Sequence, residues 1–141
     1  MRRAAKCFIS HIKDERNLSP RTIATYRKDL ELFIGFVQKR YRRSLLAGQI
    51  APDMIQAFLE FLANEGYAKR NQPVSRARRL TTLRSWFKHL QQAGLVRDDP
   101  TVRVRCPKVR HREPSFLTIE ECRRVITAAG QHRGRFLALR N

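Results

Sequence analysis

A chain of 141 residues with 30 Lys+Arg against 12 Asp+Glu carries a formal charge of +18 at pH 7. That length accommodates one domain of ordinary size plus something incomplete, and 42% hydrophobic residues are enough for a core, which excludes wholesale disorder. So large a positive charge predicts a polyanionic partner, while apolar runs of only a few residues fall far below the ~20 that a membrane span needs.

The first helix is predicted over residues 3 to 16, with Ala5, Phe8, Ile9 and Ile12 on one side. The charged start, Met1-Arg-Arg-Ala-Ala-Lys, leads into an apolar patch soon broken by Ser10, His11 and Lys13, unlike a signal peptide. Ser19-Pro20 then gives a start signal, a hydroxyl N-cap followed by proline at the first helical position. From it Ile23, Tyr26, Leu30, Phe33, Ile34 and Val37 form a stripe that runs to about Arg40. Residues 42 to 51 read as a connector. Pro52 and Asp53 open a third helix, the acid suiting the helix dipole, with Ile55, Phe58, Leu59 and Leu62 as its stripe and Gly66 as its stop.

The fourth helix carries the strongest signal. Ser75 is its expected cap and Gly94 its stop, and Ala77, Leu80, Leu83, Phe87 and Leu90 recur at spacings of three and four. Phe87 and Trp86 are expected in the core rather than as base-stacking groups. From Tyr67 to Arg97 there are eight Lys/Arg and no Asp or Glu. On a helical wheel Arg78, Thr82, Ser85, Lys88 and His89 fall opposite the stripe, flanked by Arg79 and Arg84, with no acid on the helix to pair them. A purely cationic solvent face calls for an anion against it, and nucleic acid is the simplest one.

After Leu95 the pattern changes. Residues 98 to 114 hold Pro100, Pro107 and Pro114, alternating Val102 and Val104, and five Lys/Arg from Arg103 to Arg112. Prolines at those intervals predict an extended cationic linker. Thr118-x-x-Glu121 is a capping box ahead of a helix ending at Gly130, and residues 133 to 140 read as the opening of another. Residues 116 to 141 are too few to close a core of their own, so they are expected to begin a domain whose remainder is missing. Strand signals are nearly absent, and the fold class is all-α. Cys7, Cys106 and Cys122 are odd in number and lack a C-x-x-C pair, and the histidines are scattered. No disulfide, metal or cofactor is therefore expected, and the location expected is a reducing cytoplasm.

Four stretches together resemble the tyrosine recombinases of the phage-integrase family, in their Xer-like branch. Leu18-Ser-Pro-Arg-Thr-Ile-Ala-Thr-Tyr-Arg-Lys-Asp-Leu30 is similar to the family's L-S-x-x-T-x-x-x-Y-x-x-x-L, and Ser75-Arg-Ala-Arg-Arg-Leu-Thr-Thr-Leu-Arg-Ser-Trp-Phe87 to its A-R-R-L-S-x-L-R-x-F-F. Asp99-Pro100 with Cys106-Pro107-Lys108 resembles its N-P…P-K linker, and Phe116-Leu-Thr-Ile-Glu-Glu121 its L-T-x-E-E. The resemblance implies a four- to five-helix core-binding (SAM-like) orthogonal bundle over residues 1 to 99, a linker over 100 to 115, and the truncated start of a catalytic domain over 116 to 141. It implies half of a clamp on one recombination half-site, with double-stranded DNA and neighbouring recombinase protomers as partners and no membrane or small-molecule substrate. No position matches the family's catalytic arginines, lysine, histidines or tyrosine, so no catalysis is expected of this chain alone. Tyr26, Tyr41 and Tyr67 are not the nucleophile.

The candidate DNA contacts follow from both readings. Arg78, Arg79, Arg84 and Lys88 lead, with Ser75 and Thr82 beside them, because arginine forks suit phosphates and guanine edges. Arg79 or Arg84 could instead lay its stem over the core. Arg21, Thr22, Thr25 and Arg27 form a second group near a helix N-terminus, where the dipole favours anions. Lys108, Arg110 and Arg112 would follow the backbone across DNA. The rival classes are a stand-alone helix-turn-helix regulator, a basic RNA-binding protein and a protein-interaction module. The first of these is weakened by the long connectors at 42 to 51 and 67 to 74.

Overall fold

The structure, a computed structural model, describes residues 1–15, 18–42, 45–67, 70–109 and 116–131. Five α-helices are present among them: α1 (Arg2–Asp14), α2 (Pro20–Tyr41), α3 (Pro52–Asn64), α4 (Pro73–Gln92) and α5 (Ile119–Gln131). Short 3-10 turns lie at Ala47–Gln49 and Pro100–Arg103. The described residues contain no strand, in keeping with an all-α class. Two compact units are formed, Met1–Val109 and Arg110–Asn141.

In the first unit the apolar stripes read from the sequence meet one another. Phe8, Ile12, Leu30, Phe33, Ile55, Phe58, Leu59, Leu62, Leu80, Leu83, Trp86, Phe87 and Leu90 are all essentially without exposed surface. α4 is the central element: it packs against α1, α2 and α3, and against the Pro100–Arg103 turn. The rings of Phe33 and Phe58 meet edge-on at 5.3 Å, and those of Phe33 and Trp86 at 6.4 Å, so α2, α3 and α4 share one aromatic cluster.

Local signals account for most helix ends. The Ser19 side chain accepts a hydrogen bond from the Thr22 backbone N–H (3.3 Å), with Pro20 at the first helical position. Gly66 (φ 68°) and Gly94 (φ 70°) take the left-handed backbone that ends α3 and α4. In the second unit Thr118 and Glu121 form the reciprocal box: Glu121 N–H donates to Thr118 Oγ1 (3.2 Å) and Thr118 N–H to Glu121 Oε2 (2.7 Å). The Thr118 backbone bond, and then its hydroxyl bond, lower the Glu121 pKa. The helix that follows exposes Ile119, Val125 and Ile126.

Several boundaries differ from the expectation. α1 spans Arg2–Asp14 rather than 3 to 16, and α5 runs through Gly130 to Gln131. Ser75 is not the cap of α4: the cap position is Gln72, because Pro73, with its fixed φ, starts the helix three residues earlier. The stretch from 98 is not extended throughout. Asp99 Oδ1 accepts from both the backbone N–H (2.8 Å) and the hydroxyl (2.6 Å) of Thr101, winding Pro100–Arg103 into a 3-10 turn. Pro100, Thr101 and Val104 are buried by it, while Val102 stays exposed. The expected opening of a helix at 133 to 140 lies outside the described residues.

Two outcomes test this packing. Phe33→Ala should lower stability by about 3–5 kcal/mol in denaturant unfolding, because a buried ring shared by three helices leaves a cavity. His89 stacks on His11 (4.4 Å) and touches Phe8 (5.4 Å). Burial, and then the His11 ring, lower its pKa from the usual 6.5, against an opposing pull from Glu15. The unfolded chain therefore binds this proton more readily than the folded one, and stability should fall as the pH drops below 6.5. The melting temperature should decline from neutral pH to about pH 5.5, less steeply in His89→Asn.

Candidate nucleic-acid interface

Three side chains of α4 make four hydrogen bonds to one carboxylate on α2. Arg78 Nη1 donates to Asp29 Oδ2 (2.6 Å) and its Nη2 to Asp29 Oδ1 (3.1 Å), an end-on fork. Arg79 Nε donates to Asp29 Oδ1 (3.3 Å) and Thr82 Oγ1 to Asp29 Oδ2 (3.1 Å). Arg79 Nη1 donates in turn to Asn71 Oδ1. The Asp29 side chain is 2% exposed, Arg79 14% and Arg78 45%. Two cations meet one anion, so the cluster keeps a net positive charge, and Arg78 is the member that carries it to the surface.

This corrects the wheel reading of α4. No acid lies on that helix, but one reaches it from α2. Thr82, expected on the outer face, has no exposed surface, and His89 turns to α1. The buried arc of α4 is wider than the stripe of three- and four-residue spacings because Trp86 and Thr82 join it, facing α2. Exposed along α4 are Arg78, Thr81, Arg84 and Lys88, with Val74 at its start and Gln91 and Gln92 at its end, while Ser75, Arg76 and Ser85 are half-buried. The Arg84 side chain also bends to the Val104 carbonyl (Nη2–O 3.4 Å), tying the end of the 3-10 turn to α4. Between them runs a shallow groove of about 290 Å³ lined by Thr81, Arg84, Ser85 and Lys88 of α4 and by Asp99, Thr101 and Val102.

The second group divides. Arg21 is exposed, and Thr25 donates its hydroxyl to the Arg21 carbonyl (2.9 Å). By helical spacing, Arg21, Thr25 and Lys28 border the edge of α2 that carries Asp29. Thr22 is occupied with Ser19, their hydroxyls 2.9 Å apart. Arg27 lies on the other flank, lining a groove with Arg2 and Lys6 of α1. Lys108 is exposed, and Arg110 and Arg112 lie outside the described residues. Tyr67 donates its hydroxyl to the Leu32 carbonyl (2.6 Å), and burial raises its pKa above 10.0 against the opposing charge of Arg79.

Asp29, Asn71, Thr81 and Val102 were missed by sequence reasoning. Asp29 had a signal: it stands beside Leu30 and within one turn of Tyr26 and Phe33, where a carboxylate needs partners. Among the described residues no group of three or more His, Cys, Asp or Glu could hold a metal ion, and no helix is long and apolar enough to cross a membrane.

The all-α bundle is consistent with what the family comparison returns. The model described as phage integrase, N-terminal SAM-like domain, matches residues 5–94, and the chain belongs to that family. It is similar to three bacterial proteins named tyrosine recombinase XerC. The one from Roseiflexus sp. (strain RS-1) is 39% identical over 113 residues, 80% of this chain and 34% of that protein. The one from Leptospira interrogans serogroup Icterohaemorrhagiae serovar copenhageni (strain Fiocruz L1-130) is 34% identical over 122 residues, 86% of this chain and 37% of that protein. The one from Myxococcus xanthus is 34% identical over 114 residues, 81% and 36% respectively. The chain thus spans little more than a third of the length of these relatives. No solved structure matches it.

Thr82→Val keeps the volume and removes one of the donors to Asp29. It should cost about 1 kcal/mol in denaturant unfolding.

Proposed function

We propose that the Met1–Val109 unit grips duplex DNA at a recombination half-site, as the core-binding part of a tyrosine recombinase. One observation carries the reading: the outer face of α4 combines Arg78, Arg84 and Lys88 with the hydroxyls of Thr81 and Ser85, on a helix without a carboxylate. A helix of that character fits the major groove, where the cations meet phosphates and the short hydroxyls reach base edges. Ser75 at the start of the helix and Arg79 behind it support the same face, and Thr82 acts from inside by holding Asp29. Arg21 and Thr25 extend the surface along α2. Arg27 meets the backbone from the α1 flank, and Lys108 at the end of the unit, with Arg110 and Arg112 after it in the sequence, adds phosphate contacts.

In this reading the unit supplies grip and register, while strand cleavage and joining are carried elsewhere in the recombinase. Its partners are double-stranded DNA and neighbouring protomers on it, and its place of work is the cytoplasm. The family membership and the recombinase names of the relatives support a role in DNA integration and recombination.

Binding dominated by phosphate contacts releases counterions, so affinity must fall with salt. If about six phosphates are neutralised, the dissociation constant for a duplex should rise roughly a thousandfold between ~50 and ~200 mM salt. Fluorescence anisotropy across that range checks it, and Lys88→Ala should lower the log–log slope by about one. Affinity independent of salt would defeat the reading, as would preference for structured RNA over duplex DNA at matched salt.

A further inference from the structure

We infer that Asp29 is a positioning residue for DNA: its buried carboxylate aims the Arg78 guanidinium outward as a fixed donor. This rests on the DNA-binding reading above. Asp29 is 2% exposed, and its two oxygens accept from Arg78 twice, from Arg79 and from Thr82. A carboxylate so occupied cannot turn without breaking several bonds at once. The end-on fork uses one N–H on each terminal nitrogen of Arg78, while Nε–H and the outward N–H groups have no partner among the described residues, at a side chain 45% exposed. Thr81 stands one turn along the same outer row. An exposed arginine ordinarily loses its rotamer freedom when it meets a phosphate or a base edge. Arg78 has already lost it on folding, so its contact with DNA forgoes that entropic cost.

Charge alone predicts the opposite sign. Removing an anion beside a DNA-binding surface strengthens its attraction for phosphates, and Asp29→Asn removes one. In the positioning account the same substitution weakens binding, because the asparagine amide turns a donor toward Arg78 and releases the fork. Glu31→Gln supplies the control, since it removes an exposed anion from the same helix without touching the cluster.

The experiment titrates the full chain against a labelled mixed-sequence duplex at fixed salt, with each variant shown folded by circular dichroism. Glu31→Gln should bind as tightly as the wild type or more tightly, whereas Asp29→Asn should bind roughly fivefold more weakly. In an Arg78→Ala background Asp29→Asn should cause no further loss, because the loss passes through Arg78. Arg78→Lys keeps the charge and loses the fork. It should also weaken binding roughly fivefold with an unchanged salt slope, which keeps the test open if Asp29→Asn does not fold. Tighter binding by Asp29→Asn, an equal loss in the Arg78→Ala background, or wild-type affinity in Arg78→Lys each overturns the inference while leaving the DNA reading intact. A wild-type chain that ignores the duplex overturns both.

Discussion

One carboxylate, buried between α2 and α4, organises the cationic side of this molecule. Asp29 has almost no contact with solvent, and a charge in that position is tolerated only when it is paired and hydrogen-bonded. Arg78, Arg79 and Thr82 meet that need from little more than one turn of α4. The pairing fixes how α4 is rotated about its own axis. With Thr82 facing α2, the row through Thr81, Ser85 and Lys88 must face outward, and Leu80, Leu83 and Leu90 must face the core. The same contact that closes the bundle therefore decides which side chains any partner can meet.

The electrostatic consequence is asymmetric. Were each arginine balanced by its own acid, the surface would be neutral and useless to a polyanion. Here a single anion is shared by two guanidinium groups, so order is gained without surrendering the charge that attracts phosphate. Beyond the cluster, Asp99 lines the groove beside Arg84 and Lys88, with its Oδ1 committed to capping the 3-10 turn, while Glu31 lies exposed on α2 and Glu60 on α3. Arg84 illustrates a second economy, bracing the Val104 carbonyl from a side chain still open to solvent. In both cases structural contacts leave donor capacity at the surface.

What the sequence disclosed was local. The stripes of α1 to α4 follow from spacings of three and four, the α2 start from Ser19-Pro20, the α5 start from the Thr118–Glu121 box, and the helix stops from Gly66 and Gly94. Each of these is settled within a turn or two of chain. The candidate site was less legible because its organising contact spans 49 residues, from Asp29 to Arg78. A wheel drawn for α4 alone places Thr82 among polar neighbours and sees no acid, since it cannot know which neighbouring helix arrives on that side. Ser75 failed as a cap for a different reason: a proline two residues earlier is a stronger start than a hydroxyl. The turn at Pro100–Arg103 was hidden by its proline, a residue excluded from helix interiors but suited to the first position of a short turn capped by Asp99.

The claim at the centre of this account is that the outer row of α4 is the surface that meets duplex DNA. Backbone amide chemical shifts, followed by NMR as a duplex is titrated into the labelled chain, read that surface residue by residue. The largest changes are expected at Arg78, Thr81, Arg84, Ser85 and Lys88, with smaller ones along Arg21 and Thr25 and none along the exposed side of α3 around Glu60 and Asn64. Shifts concentrated on α3, with the α4 row unmoved, would contradict it.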